Sequence, residues 1–325
     1  MLKTRVTEML GIDYPIIQGG MLWLSCAEFA AVASNAGCLG MLISANFNTA
    51  EELREEIRKT RSLTDKPFGV NINLFPSTRQ LPNREFIEAL IEEGVRVVET
   101  SGWRSPEEYM PLFRKGKVTV IHKCGAVQHA LKAARVGVDM VTLVGVENGG
   151  NLGGNEVTTL VLIPIAANVL KVPVIAGGGI ADARGLVAAL ALGAEGVVIG
   201  TRFMATKECP AHPKFKEWML RSRETDTVVI QRSIRSALRA LRNRVSDEVL
   251  EMEAKGATLE ELLPLIGREG NKRLFLEGDL DDGIAACGQV VGLIDDIPTI
   301  KEVIDSIVSE VETVGKRLAS LGVFA

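Results

Sequence analysis

Eight short runs rich in valine and isoleucine, each followed by a stretch of helical period, fill this chain from its start to about residue 206. The runs are Pro15–Gln18, Cys38–Ser44, Phe68–Phe75, Val95–Thr100, Val118–Lys123, Met140–Gly145, Pro173–Ala176 and Gly196–Ile199. Such alternation demands parallel strands joined by helical crossovers, and eight units are the number that closes a barrel. The expected fold is therefore an α/β (β/α)8 TIM barrel, with a doubly wound open sheet as the competing arrangement. Thr49 with Glu52, and Ser105 with Glu108 behind Pro106, have the spacing of capping boxes at helix starts. Alanine-rich helices are expected over Cys26–Asn35, Ala126–Val136, Thr159–Leu170 and Asp182–Leu192.

After the eighth run the pattern changes. From Cys209 to about Ala285 the sequence is charged, helical in period and without an evident strand run. This predicts a small helical domain, residues 209–285, set into a barrel made of 1–208 and 286–325. The final barrel helix would start at a Thr299–Glu302 capping box and run to about Leu321. Without the insert, the remainder is close to the roughly 250 residues of an ordinary barrel.

Composition excludes several classes of function. The 41 acidic and 37 basic residues leave a net charge of −4 without basic runs, so nothing recommends a nucleic-acid binder. The most apolar stretches, Thr158–Leu170 and Leu186–Leu192, fall short of the roughly 20 residues of a membrane span. Acids and a proline stand in MLKTRVTEMLGIDYP where a signal peptide would be apolar, so a cytoplasmic protein acting on a small molecule is expected. The five cysteines, at 26, 38, 124, 209 and 287, form no CxxC and read as free thiols, with no metal site. Oligomeric state is not legible.

In barrels of this kind the reactive face is the C-terminal end of the strands, and phosphates gather after strands seven and eight. Those ends read AGGGI at 176–180 and IGTRF at 199–203. Glycines let backbone amides approach a phosphate closely, which makes Gly178, Gly179, Gly200 and Thr201 the expected cradle; tight turns are the plainer reading of the same residues. On FGVNINLF, Gly69, Asn71, Asn73 and Phe75 share one face, so two amides point together, as suits the edge of a heterocycle. On VTVIHKC, Lys123 shares a face with Ile121 and projects into the barrel mouth, where an anionic ligand would answer its charge. His122 reads as a packed structural histidine. His129 and His212 have no catalytic setting. The loop GVENGGNLGGNE, 145–156, lies on the active face and is expected to cover whatever the barrel binds.

Together these residues resemble the nitronate monooxygenase family, formerly 2-nitropropane dioxygenases, including its NADH:quinone reductase members. The likeness runs through PIIQGGM at 15–21, KPFGVNINLFP at 66–76, VVETSG at 97–102, VIHKC at 120–124, the glycine loop, IAGGGIADARGLVAALALGA at 175–194, GTRFMATKECPAHP at 200–213 and GLIDD at 292–296. It extends to FMN-dependent enoyl reductases of fatty-acid synthesis. The resemblance implies bound FMN, with NAD(P)H as a co-substrate. By position, Gly20, Met21 and Leu22 would border the isoalloxazine ring. Asn71, Asn73 and Lys123 would contact the ring or ribityl chain, and Gly149 and Gly150 would approach from the strand-six loop. Lys123 would then raise the reduction potential of the flavin, because the reduced ring carries negative charge near N1 and C2=O.

One position departs from the family. Where its pattern ends in Gly-Gly-His or Ala-Gly-His, with the histidine acting as acid or base, this chain has Gly149-Gly150-Asn151. An amide can hydrogen-bond a nitro or carbonyl oxygen but cannot take a proton from a nitroalkane. The resemblance thus leaves three expectations: nitronate oxidation weakened at Asn151, hydride transfer to a quinone or an enoyl thioester, or a flavin-binding protein that has lost turnover.

Overall fold

In a computed structural model of the chain, describing residues 2–74, 81–102, 104–153 and 156–322, the eight runs form eight parallel strands. They are β1 (Ile16–Gln18), β2 (Gly40–Ile43), β3 (Phe68–Asn73), β4 (Val97–Ser101), β5 (Thr119–Cys124), β6 (Met140–Val144), β8 (Val174–Gly177) and β9 (Gly196–Ile199). A two-residue strand, β7 (Gly150–Asn151), lies between β6 and β8 but belongs to another sheet. Phe75, Gly154 and Asn155 of the expected strand and loop lie outside the described residues.

Strand order is β1-β9-β8-β6-β5-β4-β3-β2, and the ends meet: Ile17 bridges Leu39, with Gln18 N–H donating to the Leu39 carbonyl at 2.9 Å. The open-sheet alternative is thereby set aside, and the fold is a (β/α)8 barrel. Alternation divides the strand residues between two cores. Val70, Val98, Val120, Leu143 and Ala176 face the helices, whereas Val97, Ile121, Met140, Ile175 and Val198 fill the interior. The N-terminal helix Arg5–Leu10 closes the bottom, adding Val6, Leu10 and Ile12 to the interior cluster. The inward residues Asn71, Asn73, Ser101 and Lys123 lie at the other end, where their strands finish.

Two local expectations need correction. Ser105 caps no helix; the chain makes a 3-10 turn at Glu107–Tyr109 and starts its α-helix at Met110–Lys115. The reason is Pro111, which has no N–H to give the Glu107 carbonyl and fits only the first turn of a helix. The Thr299–Glu302 box, by contrast, forms at the start of the helix Ile300–Ser320.

Residues 209–285 are not wholly helical. Thr227–Ile230 (β10) and Leu238–Leu241 (β11) form an antiparallel hairpin, and β11 pairs in turn with β7. The β-branched run TVVI was the signal, hidden because VVI and the later leucines also satisfy a helical spacing. Ile230, Ala240, Val245, Val249, Leu262 and Ile284 give this segment a small core of its own.

Packing between strand and helix is closest at Gly40, where a Cβ would lie 1.9 Å from the Ala30 carbonyl oxygen. Gly40→Ala should cost more than about 3 kcal/mol or abolish soluble expression, since backbone must move to admit the methyl. Gly315→Ala, in the last helix with open space around it, should gain about 0.5–1 kcal/mol. Urea denaturation of both variants measures the contrast.

Candidate functional site

The register of the barrel assembles a polar cluster at the C-terminal ends of three adjacent strands. Asn71 of β3 pairs with Glu99 of β4, and Ser101 of β4 pairs with Lys123 of β5, so all four inward side chains converge. One carboxylate oxygen of Glu99 accepts from Asn71 Nδ2 at 2.7 Å and from Lys123 Nζ at 2.7 Å. Ser101 Oγ donates to Asn71 Oδ1 at 3.3 Å. Glu99 is 1% exposed. The sequence reading placed Lys123 in the mouth but left its counter-charge to a ligand. The protein itself supplies that charge, from a lone acid inside the apolar strand VVETS.

Above this cluster lies a cavity of about 300 Å³, within the range of small-ligand sites. It brings together every residue singled out beforehand: Gly20, Met21 and Leu22 after β1; Asn71 and Asn73; Lys123; Gly149, Gly150 and Asn151; Gly178 and Gly179; Gly200 and Thr201. The glycines shape it. A Cβ at Gly150 would meet nothing within 4 Å, one at Gly200 only the Met21 sulfur at 3.9 Å, and one at Gly179 would touch Glu147 at 3.6 Å. Side chains there would occupy the space left for a ligand. Gly178 and Gly179 hold φ of +96° and +74°, a conformation that favours glycine. These features fit a phosphate against backbone at the two last strand ends.

The loop after β6 is clamped from four directions. Gly150 and Asn151 pair with Arg239 and Leu238 of the hairpin, and Leu152 N–H donates to the Ala237 carbonyl at 2.9 Å. Gly149 packs so closely on Cys287–Gly288 that a Cβ would lie 2.6 Å from the Gly288 nitrogen. Gly153 abuts Gly125, where a Cβ would lie 2.3 Å from the Leu152 carbonyl oxygen. Glu147 within the loop accepts from the Thr159 N–H at 3.0 Å and from its hydroxyl at 3.0 Å. Asn151 is exposed beside the cavity.

The insert also holds the loop after β1. Trp23, with φ of +67°, donates from its indole to the Arg268 carbonyl at 3.1 Å. The Arg268 guanidinium stacks 4.6 Å from the ring and the Lys272 ammonium lies 5.3 Å from it.

The histidines divide. His122 is buried, contacts Thr100 Oγ1 at 2.9 Å, and is pushed down to about 4 by burial and by the neighbouring His129. His212 caps a helix, accepting from the Lys214 N–H at 3.2 Å. His129, in the first turn of the helix after β5, lines the cavity. Sequence reasoning also missed the wall contributed by Leu238, Phe275 and Gly288. Among the described residues no group of three potential ligands could hold a metal, and no helix is long and apolar enough to cross a membrane. All five cysteines are free.

A closed parallel barrel with a glycine-shaped cavity at the ends of its strands defines a TIM-barrel enzyme of the kind that works on small molecules at that face. The nitronate monooxygenase family model matches residues 3–310, and the chain belongs to that family. It is 35% identical, over 99% of its length and 98% of the relative's, to the (3aS,4S,5R,7aS)-5-hydroxy-7a-methyl-1-oxo-octahydro-1H-indene-4-carboxyl-CoA dehydrogenase of Rhodococcus jostii. A "Probable nitronate monooxygenase" of Staphylococcus aureus is 31% identical over 77% of this chain and 81% of that protein. Among solved structures, FabK from Thermotoga maritima superposes with a TM-score of 0.90 at 36% identity, covering 99% of this chain and all of that one.

Lys123→Met would leave the Glu99 carboxylate buried without its cation. The expected loss is about 3 kcal/mol of stability, at least half recovered by Glu99→Gln in the same chain. Denaturation of the two single variants and the double variant completes the cycle, and additive losses would mean that the ion pair is not coupled.

Proposed function

We propose that the protein is an FMN-dependent oxidoreductase acting on an α,β-unsaturated acyl thioester or its saturated counterpart, with NAD(P)H as the second substrate. The observation that carries this reading is the cavity wall. It joins glycine backbone fit for a phosphate to a preassembled Asn71–Glu99–Lys123 cluster, and it presents an amide at position 151.

Gly178, Gly179, Gly200 and Thr201 would hold the phosphate. Gly20, Met21, Leu22, Gly149 and Gly150 would border the ring, and Asn71, Asn73 and Lys123 would meet its polar edge. When bound, the flavin would supply reversible hydride exchange. Lys123, tethered to Glu99, keeps protons on its ammonium for carbonyl oxygens of that edge while its net charge is balanced. Asn151 can donate to a thioester carbonyl and draw electron density from the conjugated carbon. The clamped loop holds that donor in place, so little ordering remains for the moment of binding. The thioester is supported by the Rhodococcus relative, whose name specifies a carboxyl-CoA, at nearly full coverage of both chains.

Nitronate oxidation is the second reading, favoured by the family and by the Staphylococcus relative. A nitronate is already deprotonated and needs no base at 151, but the Lys123 charge that would attract it is met by Glu99. The protein should purify yellow with one non-covalent FMN, since the cradle has no partner suited to an adenylate half. Anaerobic mixing should show the flavin bleached by NADH or NADPH and re-oxidised faster by crotonyl-CoA than by quinone. Re-oxidation by neither, with direct bleaching by propionate-3-nitronate, would establish the second reading; colourless protein unable to bind added FMN would end both.

Asn151→His places an imidazole at a point of fixed backbone. Oxidation of neutral nitroethane should rise by about 100-fold or more, the usual contribution of a positioned base, while oxidation of preformed nitronate changes little. Oxygen uptake with the two substrates tests this.

A further inference from the structure

Saturating the double bond of an unsaturated thioester adds a hydride at the β-carbon and a proton at the α-carbon, and the reverse reaction removes both. The amide of Asn151 cannot be that proton's source. Among the described residues the titratable side chains lining the cavity are Lys123, Cys124, His129 and Glu147. Three are committed. Lys123 is paired with Glu99, and Glu147 takes the N–H and hydroxyl of Thr159. The Cys124 thiol donates to the Ala126 carbonyl at 3.6 Å and is pushed up to about 12 by burial.

His129 is the one left over. Its Nδ1 is buried and among the described residues has no hydrogen-bond partner, unlike that of His122, which is held by Thr100. It sits in the first turn of the helix Val127–Arg135, which begins just beyond Lys123 and Cys124. The contact between Gly125 and Gly153 presses that turn against the loop that carries Asn151. The helix after β5 thus brings an imidazole to the cavity that the amide of the loop also lines.

We propose that His129 is the proton donor and acceptor for the α-carbon of the thioester. The inference rests on the flavin–thioester reading. In reduction, a bound FMN reduced by NAD(P)H would supply the hydride of the new β-C–H bond. The π electrons of the double bond move to the α-carbon and take the proton of the His129 imidazolium, and the neutral ring regains a proton from solvent. In oxidation the neutral ring takes the α-proton as the β-hydrogen leaves as hydride to oxidised flavin. His122, neutral in its buried site, places no charge against the imidazolium.

The chain has three histidines, so imidazole signals of uniformly 15N-histidine-labelled holoenzyme can be assigned by substitution. Adding butyryl-CoA to the oxidised protein should move the signal that is missing in His129→Asn and leave that of His212 in place. In D2O, wild type should incorporate deuterium at the α-carbon of butyryl-CoA. His129→Asn and His129→Gln should lose at least 100-fold of that exchange, with FMN content and melting temperature unchanged. Exchange that persists in both variants would overturn the role of His129 and leave the thioester reading standing. No exchange in wild type, with flavin still bleached by NAD(P)H but not re-oxidised by crotonyl-CoA, would overturn both together.

Discussion

A carboxylate buried to 1% exposure is the constraint around which the mouth of this barrel is organised. A carboxyl group so buried needs a cation and hydrogen-bond donors, and the parallel register supplies both from its neighbours, Asn71 from β3 and Lys123 from β5. In consequence the three strands finish with their polar ends already engaged. The ammonium is fixed in direction, and the cavity above has a floor that does not depend on what binds there. The same pairing alters the meaning of Lys123. Alone it would be a site of attraction for anions; coupled to Glu99 it is a directed donor with its charge balanced.

Much of this was legible in the sequence, for reasons that lie in periodicity. Strand alternation put Asn71 and Asn73 on one face and Lys123 beside Ile121, and the interior cluster that holds Ile121 shows which face is inward. Short apolar runs rich in Val and Ile marked all eight strands because a parallel strand is buried on both sides. Contacts between distant segments were not legible. Glu99 belongs to a run that reads as an ordinary strand, and only the register shows that its neighbours answer it. The hairpin at 227–241 was hidden because its apolar residues satisfy two periods at once, and what decided for a strand was a partner, β7, more than 75 residues earlier in the chain. His129 had no catalytic setting in the sequence, since helical phase says nothing about which end of a helix borders a cavity.

The insert contributes more than bulk. Its hairpin holds the loop after β6 while its helix Arg268–Lys272 holds Trp23 after β1, so two loops on opposite sides of the mouth are fixed by one segment. Glycine-rich loops ordinarily pay heavily in backbone entropy when a ligand orders them. Here the ordering is done during folding, by sheet pairing at Gly150 and by backbone packing at Gly149 and Gly153.

The pairing of Asn151 with Leu238 separates where a residue stands from what it is. Main-chain hydrogen bonds across a ladder are indifferent to side-chain identity, so the Cα at 151 keeps its coordinates whichever residue the codon specifies. An exchange between an imidazole and an amide at this point changes the chemistry on offer without disturbing the frame that presents it. Such a position is a socket. A lineage could move between deprotonating its substrate and merely polarising it by a single substitution, with the fold bearing none of the cost.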